Sequence, residues 1–472
     1  MSVHMISIFA LVAMFVLATA LPINMGVIAF VGAFLVGTLV AGMEAKAIMA
    51  GFPAELFLTL VGITFLFAQA QNNGTVDWLV RLSVRAVRGH IAAIPWVMFG
   101  VAALLTGVGA VSPAAVAIIA PIALGFAVKY RINPLMMGLM VIHGAQGGGF
   151  SPISIYGGIT NKIVQKAGLP LSELTTAFVS LGFNFGVAVI LFFLFGGMEL
   201  IRRTRKAPAT GGLDNSLAPA GLAAAGAHWE TAAPAEGVAL VQERLAVAGA
   251  GSPETAFMSG SSQRHPASPS ETADASPNLQ QLATVVGLVA LAVLTLLYKL
   301  DIGFVAISIG LVLSMMAPNV QKRAIGQVSW PEIMLIVGVS TYVGVMQKMG
   351  TIAFVGESVA GLTSPLMAAL LLCFVGAIVS AFASSTAVLG SLIPLAVPFL
   401  QSGTGVDPIG FIAAMAVSST IVDVSPFSTN GALVLANAQG VDRDSFLRQL
   451  MIYGAVVTVT APFVVWLMFV VF

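Results

Sequence analysis

Four short polar clusters interrupt an otherwise apolar sequence, and their residue types suit the holding of a small anion. They lie around Ser112, across Gly147-Gly148-Gly149-Phe150-Ser151-Pro152, at Ser384-Ser385-Thr386, and from Asp423 to Gly431. A helix that breaks inside a membrane exposes amide N–H groups where its second piece begins, and their partial positive charge favours an anion. Carbonyls left at the end of its first piece suit Na+. Hydroxyls of Ser and Thr add donors for a carboxylate without burying a Lys or Arg. The candidate anion-binding residues are Ser112, Ser151, Pro152, Ser385, Thr386, Ser425, Pro426, Ser428 and Thr429, with Asn430 beside them. Gly149, Ser384 and Asp423 are candidates for a coupling ion, and a Na+ site, if sodium is that ion, is expected near Ser112, Gly149, Ser384 and Asp423. A single such cluster would be explained by small residues that let helices pack closely in lipid. Four clusters in two matched pairs favour a functional reading.

Ionisable residues inside the apolar segments are few, which makes each informative. Asp423 stands just before the second Ser-Pro break, where the first half has Gly149. It is expected to bind a coupling cation, carry a proton, or cap the unwound backbone. His143 is expected to be a satisfied packing residue. Glu55 and Glu332 each come just after a proline at the start of a span, where the helix dipole alone favours an acid. The only cysteine, Cys373, sits in the run Leu370-Leu371-Leu372-Cys373-Phe374 and reads as a small buried hydrophobe. It excludes an intrachain disulfide and a metal site built on several thiolates.

The elements that position these clusters repeat along the chain. Leu60-Val61-Gly62 with Gln71, Gly74 and Thr75 returns as Ile336-Val337-Gly338 with Gln347, Gly350 and Thr351, and Phe150-Ser151-Pro152-Ile153-Ser154 returns as Val424-Ser425-Pro426-Phe427-Ser428, a shift of 425 − 151 = 274. Paired interruptions at matching places in two halves point to a secondary transporter's binding site, because freed backbone groups must line a cavity rather than face lipid. At 58% hydrophobic and 8% charged residues, the composition excludes an ordinary soluble domain. The formal net charge of +1 gives no case for nucleic acid as a partner. No HExxH, Walker A or Gly-x-Ser-x-Gly sequence is present, so an enzyme is not expected.

Apolar runs occupy about 6–20, 25–42, 54–72, 93–128, 134–160 and 175–200, then about 281–298, 302–317, 332–348, 364–401, 408–438 and 449–472. The first run lacks a basic segment ahead of it and reads as a retained transmembrane helix. The fourth run of each half is too long for one crossing and carries Val111-Ser112-Pro113 or Ser384-Ser385-Thr386 at its middle, which suits a re-entrant hairpin. The fold expected is an all-α polytopic membrane protein. It would contain two inverted repeats, 1–206 and 281–472, each with five crossings, a re-entrant hairpin and a broken helix.

Residues 207–280, rich in Ala, Gly, Ser and Pro, are expected to form a disordered cytoplasmic insert in which 236–248 is the one stretch suited to a short amphipathic helix. Deleting 211–276 should leave folding and transport largely intact; loss of membrane-inserted protein on deletion would show the insert to be structural. The basic residues agree with this orientation. Arg81, Arg85, Arg88, Lys129, Arg131, Arg202 and Arg203 fall with the insert, against Lys46, Lys162, Lys166, Lys299 and Lys348 on the other face, which also receives both termini.

At its clusters the sequence resembles the ion-transporter superfamily of inverted-repeat carriers, near the divalent anion:sodium symporters and most closely the MatC-type malonate/dicarboxylate carriers. In the symporters each hairpin tip carries Ser-Asn-Thr, with a proline ten residues after its Ser. Here Ser384-Ser385-Thr386 begins ten residues before Pro394, and Val111-Ser112-Pro113 begins ten before Pro121. The family's Thr-Pro turns are matched by Ser151-Pro152 and Ser425-Pro426. In both tips a Ser replaces the family's Asn, so an amide that would support carboxylate and Na+ is missing, and proton coupling stands open beside sodium. The resemblance implies a multi-pass carrier of the bacterial inner membrane that moves a small dicarboxylate (malonate or a C4 acid) by symport with Na+ or H+. It also implies a homodimer surrounded by lipid and no cofactor beyond the coupling ion. A cation/proton antiporter or another anion carrier on the same scaffold is the alternative within transport, and a receptor or assembly component the alternative outside it.

Overall fold

The computed structural model describes residues 2–21, 23–86, 90–206, 278–362, 364–381, 385–401, 405–438 and 441–471, and among them there is no strand. Five helices are long and apolar enough to cross a bilayer: Ala54–Asn72, Ser112–Tyr130, Glu173–Leu194, Leu279–Leu296 and Arg443–Val471. Pro318–Gly326 and Trp330–Lys348, bent by 49° at their junction, make a sixth span if counted together. Several remaining apolar helices are short because the chain breaks inside what reads as one hydrophobic run.

The four breaks fall in the polar clusters. Run 93–128 becomes Ile94–Gly107 and Ser112–Tyr130, and run 364–401 becomes Pro365–Ser380 and Ser385–Gln401; in each pair the two arms pack on one another as a hairpin. Run 134–160 becomes Pro134–Gly148 and Ile155–Lys166, while run 408–438 becomes Pro408–Ile421 and Thr429–Ala436. Proline at the start of the Ser112 helix, with its fixed φ and missing N–H, suits a first helical turn.

Short amphipathic helices follow or precede several spans, Thr75–Ala86, Gly197–Lys206 and Pro318–Gly326, and the more apolar Thr351–Leu362 stands where Thr75–Ala86 does in the first half. A search for membrane-length apolar runs passes over them, since their polar faces dilute the average. The repeated Gly74-Thr75 and Gly350-Thr351 mark their starts. Gly74 (φ 77°) and Gly350 (φ 74°) end the preceding spans in the left-handed conformation that glycine adopts without a Cβ clash. Residues 207–277 and the expected helix at 236–248 lie outside the described residues. Asn278 and Gln281 form a capping box on Leu279–Leu296, so this helix begins just before the expected boundary at 281.

The molecule is apolar on its outside. Leu39, Phe178, Ile190 and Leu194 are each at least 65% exposed, while Thr59, Thr160, Ser418 and Thr420 are fully buried or nearly so. Lipid solvates the first group, and the interior collects the hydroxyls.

The two halves exchange contacts as a pseudo-two-fold relation requires. Ala54–Asn72 packs along Ile302–Met316, and its counterpart Trp330–Lys348 packs along Met25–Leu35, the counterpart of Ile302–Met316. Both crossings are made by glycine. A Cβ at Gly62 would meet the Gly303 carbonyl, and one at Gly338 would meet the Gly26 backbone. Bare backbones in contact maximise dispersion where lipid gives no hydrophobic drive to association.

Crosswise packing extends to the broken elements. The second arm of the first hairpin, Ser112–Tyr130, lies against Thr429–Ala436, and that of the second hairpin, Ser385–Gln401, lies against Ile155–Lys166. Each hairpin tip is thereby brought to the break of the opposite half. Lys162 adds a link between halves, 2.9 Å from Asp301 and 3.5 Å from Glu55.

Candidate functional site

The two breaks share one backbone design. In the first, Gly149 N–H donates to Gln146 O, Ser151 N–H to Gly148 O and Ser154 N–H to Ser151 O. In the second, Asp423 N–H donates to Thr420 O, Ser425 N–H to Val422 O and Ser428 N–H to Ser425 O. The hydroxyls agree: Ser154 Oγ donates to Ser151 O at 2.6 Å and Ser428 Oγ to Ser425 O at 2.7 Å. Ser154 and Ser428 are the residues just ahead of the second helical pieces, and two residues further on stand Tyr156 and Asn430.

Tyr156 and Asn430 carry the site across the pseudo-axis. Asn430 Nδ2 donates to Ser112 Oγ at 2.8 Å, and the Tyr156 hydroxyl stands near both Ser112 and Ser385. The residue at the same place in each break thus reaches the tip serine of the opposite hairpin. Ser385 Oγ also lies 3.0 Å from Ser380 Oγ and 3.5 Å from Asp423 Oδ2. Asp423 Oδ1 accepts from Asn430 N–H at 3.2 Å, and Oδ2 accepts from Asn430 Nδ2 at 3.0 Å, with Thr429 N–H adjoining. Ser112, Ser385, Tyr156, Asp423 and Asn430 are all buried.

The remaining expected residues take several places around this network. Ser428 and Thr429 stand at the start of the second piece, beside Asp423. Ser151, Pro152, Ser425 and Pro426 shape the turns, and Ser425 Oγ accepts from Phe427 N–H at 3.2 Å. Thr386 is buried one residue inside the second tip. Gly149 lies under the Tyr156 ring, which approaches to 2.8 Å of where a Gly149 Cβ would stand. Ser384 lies outside the described residues.

Sequence reading missed Tyr156, which occupies in the first half the place of Asn430. The signal was present in the repeat, since 430 − 156 = 274 matches the shift of the Ser-Pro turns, but a tyrosine in an apolar run looks like packing. It also treated Glu55 and Glu332 alike. The Glu55 side chain is 82% exposed and faces Lys162, whereas Glu332 Oε2 is buried with no hydrogen-bond partner and acts electrostatically on Tyr156. His143 is fully buried, with Nδ1 2.8 Å from Asn184 Oδ1 and Nε2 2.6 Å from the Tyr453 hydroxyl. A neutral imidazole satisfies both partners, as a packing role requires.

The site therefore offers hydroxyls and helix N-termini without a Lys or Arg, between two halves that interlock at their breaks. The molecule is a polytopic all-α membrane protein. Residues 1–149 match the family model of the dicarboxylate carrier protein MatC N-terminus, and residues 293–471 match that of the citrate transporter. No curated protein matches the chain. Among solved structures, the Alcanivorax borkumensis YdaH transporter, whose crystal structure was described as having an unusual topology, is 13% identical with a TM-score of 0.54. The alignment covers 90% of this chain and 89% of that one, which shows the fold. The chain is a secondary carrier of carboxylates rather than an enzyme.

Proposed function

We propose that this protein moves a small dicarboxylate, malonate or a C4 acid, across the bacterial inner membrane by symport with Na+ or H+. Its two hairpins would re-enter the bilayer from opposite sides, and it would work as a homodimer. The observation that carries the reading is the convergence of Ser112 and Ser385 on the second break, where Asn430 Nδ2 lies 2.8 Å from Ser112 Oγ and Asp423 Oδ2 lies 3.5 Å from Ser385 Oγ. Each serine opens a long helix, Ser112–Tyr130 or Ser385–Gln401, so that hydroxyl donors and partial positive charge meet at one buried place. The matching family models of a dicarboxylate carrier and a citrate transporter support a carboxylate as cargo.

Counterflow in proteoliposomes tests this directly. Vesicles preloaded with unlabelled malonate or succinate should accumulate the labelled acid. A cation/proton antiporter would show no exchange of either acid and a Na+-dependent pH change instead.

The tip hydroxyls should set affinity. Loss of one charge-assisted hydrogen bond costs roughly 1.5–3 kcal/mol, or about 10- to 150-fold in binding. Ser385→Ala and Thr386→Ala should raise the half-saturating concentration within that range. Unchanged uptake kinetics at normal abundance would remove the second tip from the site.

A further inference from the structure

The two breaks share a backbone but not their side chains, and the difference bears on what the cargo looks like. Where the first half has Gly149 and Tyr156, the second has Asp423 and Asn430. Around the first break the side chains that meet are hydroxyls: Tyr156, Ser112 and, across the axis, Ser385. At the second break a carboxylate is already in place. Asp423 takes both the backbone N–H and the side-chain N–H of Asn430. The donors that a second carboxylate of the cargo would seek there are occupied by the protein's own.

Asn430 supplies an independent observation. Its Nδ2 hydrogens go to Ser112 Oγ and Asp423 Oδ2, and because a carboxylate needs a donor, this fixes the amide's orientation. The other atom, Oδ1, is then a fully buried acceptor with no hydrogen-bond partner among the described residues. A buried acceptor without a donor costs free energy, so its complement is a group that donates. Charge points the same way. The titratable groups of the cluster are Asp423 from the second break and Tyr156 from the first, with Glu332 of Trp330–Lys348 acting electrostatically on Tyr156, and among the described residues no Lys, Arg or His forms a hydrogen bond or ion pair with Asp423. A fully ionised dicarboxylate would add two negative charges beside Asp423, which pairs with no Lys or Arg among the described residues.

We propose that the cargo binds with unequal ends: one ionised carboxylate against the hydroxyls of Ser112, Tyr156 and Ser385, and a neutral, hydrogen-donating end against Asn430 Oδ1 beside Asp423. A dicarboxylate is then held with its second carboxyl protonated, as the monoanion. This rests on the carboxylate-carrier reading and specifies the ionic form that the site accepts.

Half-amides separate the possibilities, because malonamate and succinamate keep one carboxylate and replace the other with a neutral group that donates. Binding of malonate, succinate, malonamate and succinamate to the purified full-length protein would be measured by calorimetry at pH 6 and pH 8.5, with and without Na+. The half-amides should bind with little pH dependence. The diacids should weaken about tenfold per pH unit once the second carboxyl is mostly ionised, because only the competent fraction binds. At pH 8.5 each half-amide should therefore bind at least about tenfold more tightly than its parent diacid, and Asp423→Asn should narrow that ratio. Diacid affinity at pH 8.5 equal to or above that of the half-amides would overturn the proposal, and the wild-type ratio decides this even if the variant does not fold. So would a preference unchanged in folded Asp423→Asn, or diacid binding that Na+ tightens in the parent but not in the variant, which would assign Asp423 to a cation. Silence from all four ligands would instead sink the malonate or C4-acid reading itself.

Discussion

Gly338→Leu should leave little folded protein, and Gly338→Ala alone should cost about 1–3 kcal/mol. A Cβ at Gly338 would stand against Gly26 O, C and Cα, all backbone atoms, so no side chain can rotate away to make room. Relief requires the two helices to separate, and the contact they lose is the dispersion that holds them together in lipid. Gly62→Ala, at the pseudo-equivalent crossing with Gly303, should behave the same way. Gly100, whose Cβ would meet nothing within 4 Å, is the matched control, and Gly100→Ala should be neutral or slightly stabilising. Melting curves of the purified variants, read with size-exclusion profiles, would check this. Parent-like melting of Gly338→Ala would mean that the halves do not interlock at this crossing.

Asp423→Ala should be the most damaging change at the site, and worse than Asp423→Asn. Alanine strips the acceptor from Asn430 N–H, Asn430 Nδ2 and Ser385 Oγ at once, and each buried donor left unpaired costs about 1–3 kcal/mol. Asn430 would then be free to turn away from Ser112, so the first hairpin tip loses its tie to the second break. Asparagine keeps one oxygen and should recover most of the stability while losing the negative charge. Thermal stability and labelled-substrate exchange, measured in parallel, distinguish the two. Equal stability of Ala and Asn variants would show that the network around Asp423 contributes nothing to holding the break closed.

How far the sequence was legible depends on the range of the interaction involved. The positions of all four breaks were readable, because Ser, Gly and Pro in an apolar run act locally: they fail to continue a helix wherever it is placed. Repeat arithmetic also exposed the pairing of Ser112 with Ser385, and of Ser151-Pro152 with Ser425-Pro426. It did not show that Asn430 reaches Ser112 while Tyr156 reaches Ser385, since these contacts join residues of opposite halves.

Asp423 was visible as a charge that breaks the symmetry with Gly149, but its partners were not. Glu55 and Glu332 were indistinguishable in sequence, each an acid just after a proline; only the chain packed around them exposes one to Lys162 and buries an oxygen of the other. By itself, then, the sequence determined that the chain lives in lipid, that it is built twice, and where its helices must break, because composition and local backbone preference decide those matters. Tertiary structure alone decided which hydroxyls meet, which acid is held by its neighbours, and which acceptor is left without a donor. Those outcomes depend on how the two halves interlock at Gly62–Gly303 and Gly26–Gly338, and the distances that packing sets across the interface are written in no local stretch of residues.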